Sequence, residues 1–196
     1  MPDPEEAKQK MLAVLSNPDL KKRREYAKFH REAFGEPDED PDIELRLLIA
    51  EPNCDKAVER FGNRPGFRDR LIDLLIEELS VPGTPVQDAE LHRAFVASAL
   101  GDLGDVRTVR PLLELLLNYF KQDGSLSACP GTIARALEKV VAVHGRALGA
   151  EQLLAIVALP DSVDTFDSFW KRFRLVYFTE LKRIAREEMV RRQNQP

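Results

Sequence analysis

The chain has 196 residues, 43% of them hydrophobic and 32% charged, which excludes a disordered polymer and supplies enough apolar surface for a real core. Its formal charge of -4 argues against a phosphate backbone as the default partner, and two distant cysteines, Cys54 and Cys129, exclude a disulfide framework. The stretch MPDPEEAKQK has no apolar signal-type run, and no apolar run approaches the ~20 residues of a bilayer span, so a reducing cytoplasm is the expected setting.

In chain order, helical periodicity recurs almost everywhere, and no stretch reads as convincing strand alternation. Residues 5–16 carry Met11, Leu12 and Leu15 on one side. SNPDL then breaks the chain, with Asn17 expected as an N-cap and Pro18 at the first helical position. Residues 19–34 form a charged helix with Tyr26, Phe29, Ala33 and Phe34, and the basic run KKRR lies at its start. The acidic stretch GEPDEDPD at 35–42 is kept non-helical by Pro37 and Pro41 and reads as a solvated loop. Short helices are expected at 42–50, stopped by Pro52, and at 53–61, ended by Gly62. Residues 66–79 carry a stripe of Phe67, Leu71, Leu74, Leu75 and Leu79, and SVPGTPVQD at 80–88 makes a corner.

Residues 88–103 and 105–121 form the clearest helical hairpin. Val96, Ala99, Leu100 and Leu103 repeat at helical spacing, and so do Val109, Leu112, Leu113 and Leu116. In the corner between them, Gly104 stands where a left-handed residue ends the first helix, and Asp105 stands where an N-cap opens the next. Arg107 is a cation at the positive end of a helix, so it needs a carboxylate, expected in an adjacent hairpin. Pro111 is expected beyond the first turn, where it would bend the helix. QDGSLSACPG at 122–131 reads as a loop, and 132–144 with 150–158 as a second hairpin around HGRALGAEQ, ended by Pro160. A final long helix over roughly 162–192 would align Phe166, Phe169, Trp170, Phe173, Tyr177, Leu181 and Ile184 on one face.

At Ala99-Leu100-Gly101, Leu103-Gly104-Asp105, Arg107, Val109 and Pro111-Leu112-Leu113, the sequence resembles a HEAT repeat of the short variety also seen in phycobilisome-lyase-type proteins. ALEKVVAVHGRALGAEQLLAIV at 136–157 resembles a degenerate second copy, with His144-Gly145 near the corner and no matching Asp and Arg. The resemblance implies an all-α, HEAT-like superhelix of about five hairpins, in which each pair covers only its neighbours. The expected organisation is one domain over 1–196: N-terminal helices and acidic loop over 1–41, stacked hairpins over 42–160, and a long helix over 161–196. It also implies protein binding on a concave face. A minority of such stacks bind or repair nucleic acid, and the lyase relatives handle bilins.

Catalytic and metal-binding patterns do not stand out. His30, His92 and His144 are isolated in sequence, His92 reads as a surface residue, and the two cysteines read as small buried hydrophobes. FGNRPGF at 61–67 follows no strand and reads as a corner, not a phosphate cradle. No cofactor is implied. The simplest role for the final helix is to cap the stack. The sharper reading is a partner-binding helix that uses Trp170, Arg174, Leu175, Phe178 and Lys182, because aromatic residues and arginine are enriched at protein interfaces. The expected function is thus a non-enzymatic interaction scaffold for another, unidentified protein. The alternatives are a nucleic-acid-binding protein of the HEAT-like glycosylase kind, which would put Arg64, Arg68 and Arg70 on phosphates, and a bilin-lyase-like maintenance protein.

Overall fold

Helices form where apolar residues recur every three to four positions, and they stop at glycine, proline or a change of period. The computed structural model describes residues 4–35, 38–51, 53–80, 86–121, 129–167 and 172–194. Among these the order is α1 (Pro4–Leu15), α2 (Leu20–Phe34), α3 (Pro41–Ala50), α4 (Asp55–Phe61), α5 (Arg68–Glu78), α6 (Val86–Leu103), α7 (Val109–Lys121), α8 (Cys129–His144), α9 (Ala150–Val157), strands β1 (Ser162–Asp167) and β2 (Arg172–Tyr177), and α10 (Thr179–Gln193). The molecule is therefore predominantly α-helical. Among the described residues, no helix is long and apolar enough to cross a membrane. The chain divides into two compact units, residues 1–95 and 96–196.

In the first unit α3 is the central helix. Seven of its ten residues are buried, as befits a helix whose sequence, PDIELRLLIA, is apolar nearly all round. Leu15, Ala27, Ile43, Leu47 and Ala50 join α1, α2 and α3 in one cluster, with Met11, Leu12 and Tyr26 against it. The acidic stretch holds this helix in place. The Asp40 carboxylate accepts from the Asp42 and Ile43 N–H groups at 2.9 and 3.3 Å, and Lys8 pairs with it at 2.7 Å. The Asp38 N–H donates to the buried Glu44 at 2.8 Å, and Arg70 reaches Asp42 at 2.5 Å. Asp38, Asp40 and Asp42 therefore cap and clamp α3, contrary to the reading of a merely solvated loop. The cap of α2 also moves by two residues. Asp19 accepts from Lys21 and Lys22, while Asn17 accepts from the Asp19 N–H.

In the second unit the stripes of the central hairpin are buried as their spacing predicts: Val96, Ala99, Leu100 and Leu103 on α6, and Val109, Leu112, Leu113 and Leu116 on α7. Ile133, Ala134, Ala136, Leu137, Val140 and Val141 make α8 the core helix here. It packs against α7 and α10, and α9 packs against α10.

The long C-terminal helix is not formed. Residues 162–167 and 172–177 make a two-stranded antiparallel sheet that pairs Ser162 with Tyr177 and Val163 with Val176, and among the described residues from 162 onward only Thr179–Gln193 is helical. The physical reason is ambiguity of period. Phe166, Phe169, Trp170, Phe173 and Tyr177 satisfy a helical template, but Phe173-Leu175-Tyr177 equally satisfies alternation, and β-branched and aromatic residues favour strands. No Asn-Gly or Asp-Gly pair marks the hairpin.

Candidate functional site

The corner sits where its chemistry demands. Gly104 has φ +60°, and its N–H donates to the Leu100 carbonyl at 3.1 Å. The Asp105 carboxylate accepts from the Arg107 N–H at 2.9 Å and opens a 3₁₀ turn over Val106–Thr108. Arg107 then returns its guanidinium to that same carboxylate, Nε to Oδ1 at 3.0 Å, so one carboxylate partner lies only two residues away. The 3₁₀ turn also relocates Pro111. Helix α7 begins at Val109, so Pro111 falls in its first turn, where the missing N–H would have had no helical acceptor anyway. The expected bend therefore loses its cause. His144, at the end of α8, sets its Nε2 2.7 Å from the Gly104 carbonyl and donates to it. The corner thus ties two helix ends together and offers no reacting group.

The C-terminal residues divide sharply. Leu175 is 46% exposed and Tyr177 61% exposed, two residues apart on β2 and so on one face of the sheet. Their cross-strand neighbours are Asp164 and Ser162. Val176 points the other way, toward α8, where a Cβ added to Gly131 would lie 3.3 Å from its Cγ2. Arg174 occupies the register position opposite Thr165. Trp170 lies outside the described residues.

Phe178 and Lys182 do not belong to a free surface. Phe178 is fully buried and meets Phe120 edge-to-face at 5.6 Å. Lys182 is 6% exposed, and its Nζ donates to the Leu159 carbonyl at 2.7 Å and to Asp161 at 2.6 Å. Phe178 turns inward where the hairpin ends, and Lys182 lies on the inward face of α10. Phe178 immediately precedes α10, and Lys182 ties that helix to the end of α9.

Reading polar residues as surface also misses a buried ionic network in the first unit. Arg23 of α2 forks onto Glu78 of α5, through Nη1 and, at 2.7 Å, through Nη2. His92 of α6 completes the set, with Nε2 2.8 Å from Oε2 of Glu78. The three side chains are 3%, 11% and 2% exposed. His92 is therefore a core residue. Burial pushes the Glu78 carboxyl up, but bonds and charge from His92 and Arg23 outweigh that and hold it below its ordinary value. A signal was present in the sequence: Arg23 shares a stripe with Leu20, Ala27 and His30, and His92 shares one with Ala89 and Val96. Cys54 is nearby and fully buried. Burial, then the Glu78 charge, push its thiol up to about 12, the opposite of what a nucleophile needs.

His30 is likewise buried, with Nε2 3.1 Å from Asp38. Among the described residues, no group of three or more His, Cys, Asp or Glu side chains is placed to hold a metal ion. Two of the arginines that a phosphate-binding reading would use are engaged within the chain. Arg70 pairs with Asp42, and the Arg64 guanidinium lies 4.9 Å from the Phe67 ring centroid. The charged clusters described here thus serve the fold, and the outward face of β2 is the part of the expected site that remains open. Comparison with known protein families, with curated proteins and with solved structures gives no match.

Proposed function

We propose that this chain is a non-enzymatic interaction module, a HEAT-like helical protein of the reducing cytoplasm that uses the outward face of its C-terminal hairpin to hold another protein. One observation carries the reading: Leu175 and Tyr177 stand 46% and 61% exposed on one face of β2, while Val176 between them packs toward α8. An apolar pair of this kind, with an aromatic ring, is the anchor that protein interfaces favour. The HEAT-like part of the proposal draws on the corner at Gly104 and Asp105, and on the His144 bond that joins it to the next helix end. The ionic clusters support a binding role indirectly, since Glu78, His92 and Cys54 are closed to any substrate.

The test is quantitative affinity capture from the native host. It compares the native chain with Leu175→Ser/Tyr177→Ser, and with Phe29→Ser/Phe34→Ser as a control on another exposed surface. The reading expects a partner that the control retains and the hairpin variant loses. Equal capture by all three proteins would remove the hairpin from the interface.

A further inference from the structure

Helix α1 meets the rest of its unit through few side chains. Among its described residues only Leu15, at its last position, is buried; Met11 and Leu12 are half-buried, and Val14 is 37% exposed. Met11, Leu12 and Leu15 rest on Ala27, Ile43, Leu47 and Ala50. The second attachment is ionic. Lys8 reaches out of α1 to Asp40 at 2.7 Å and lies 3.9 Å from Asp42. The Gln9–Glu5 and Lys10–Glu6 bonds stay within the helix.

The helices beneath it have anchors of their own. α2 is capped by Asp19, which accepts from the Lys21 and Lys22 N–H groups, and it is pinned by the buried Arg23–Glu78 pair. α3 is capped by Asp40 and has seven of its ten residues buried. The link between α1 and α2 is closed locally, by the Asp19 N–H on Asn17 Oδ1 at 2.9 Å. Asp40 alone serves both sides: it opens α3 and it receives Lys8.

We propose that α1 is a detachable strap, which leaves and rejoins α2 and α3 as one unit while they stay folded, with the Lys8–Asp40 bridge as its latch. Segments with few buried apolar side chains are the ones that open below the global unfolding energy. A free helix of 12 residues is too short to keep its own hydrogen bonds in water, so opening also unwinds it. Opening uncovers the apolar face made by Ala27, Ile43, Leu47 and Ala50, and closing hides it again. The strength of one ion pair thus sets how often that face meets solvent.

The test is native-state hydrogen exchange of the full-length chain, read residue by residue by NMR. Lys8→Met and Asp40→Asn each remove one charge of the latch, and asparagine still offers α3 a cap acceptor. Lys10→Met, which breaks the exposed pair with Glu6, is the control. The amides of residues 11–15 should share one protection factor, at least about tenfold below the best-protected amides of α2 and α3. Each latch variant should lower it by a further factor of about two to five, the range of a partly exposed ion pair. The double variant should lower it no further than either single one, as expected of two groups that act only on each other. Lys10→Met should leave it unchanged. Protection in α1 equal to that of α3, protection that climbs steadily from residue 11 to residue 15 as in simple end fraying, or latch variants that behave like Lys10→Met would each overturn the assignment.

Discussion

Gly101 of α6 and Ala136 of α8 touch backbone to backbone: a Cβ placed on Gly101 would stand 2.7 Å from the Ala136 Cα. No rotamer change relieves such a contact, because both atoms belong to the main chain or its first branch. Gly101→Ala must push two core helices apart and should cost about 1–3 kcal/mol, the usual penalty of overpacking. Urea denaturation is the measurement. Unchanged stability would mean that α6 and α8 are not this close.

The Arg23–Glu78–His92 network makes a second prediction. Arg23→Ala or Glu78→Ala leaves a buried charge without its partner and should cost about 3–5 kcal/mol. The double variant Arg23→Met/Glu78→Leu removes both charges and should recover much of that loss. Chemical denaturation of the three variants checks the pattern. Single-variant costs below about 1 kcal/mol would place these side chains in water.

The same carboxylate sets an acid limit. Glu78 in the fold lies below its ordinary 4.5, so protons bind the unfolded chain more tightly than the native one. Its stabilisation is therefore complete above about pH 4.5 and drains away as the pH falls through the lowered native value. Glu78→Gln should flatten that part of the stability profile, at a constant cost in stability. Thermal melts from about pH 3 to about pH 7, a window that brackets the carboxylate range, give the comparison.

Much of the helical part was legible because the chain repeats its apolar residues with one period. The stripes of α6 and α7 and the glycine and aspartate of their corner could be assigned from spacing and turn chemistry alone. The hairpin was not, because Phe166, Phe173 and Tyr177 fit two periods at once and no glycine marks the reversal. The ionic network was illegible for another reason. Arg23 and Glu78 are 55 residues apart, and a charged residue on an apolar stripe announces burial but not its partner. Phe178 suffered from the first fault, since the helix reading placed a core side chain in solvent, and Lys182 from the second, a charged residue on the buried face of a helix.

Cys54 should be inert in the native chain. A thiol pushed up to about 12 and fully buried supplies almost no thiolate at neutral pH. In a Cys129→Ser background, reaction with Ellman's reagent should proceed only at the rate of unfolding and should become immediate in denaturant. Rapid native labelling would show that the site opens to solvent.

The cap at Asp105 is a local matter. Asp105→Ala removes the acceptor of the Arg107 N–H and the anchor of its guanidinium, and should cost about 0.5–2 kcal/mol. Denaturation, with the secondary structure followed by circular dichroism, should show weaker stability with the fold retained. A loss much larger than this would make the corner more than a cap.

The proposal that the hairpin face is an interface is tested most directly by one dissociation constant. The captured partner is titrated against the purified native chain and against Leu175→Ser/Tyr177→Ser under the same buffer conditions. The account predicts affinity weaker by at least about tenfold in the variant, with its unfolding transition unchanged. Equal affinity in the two proteins would contradict it.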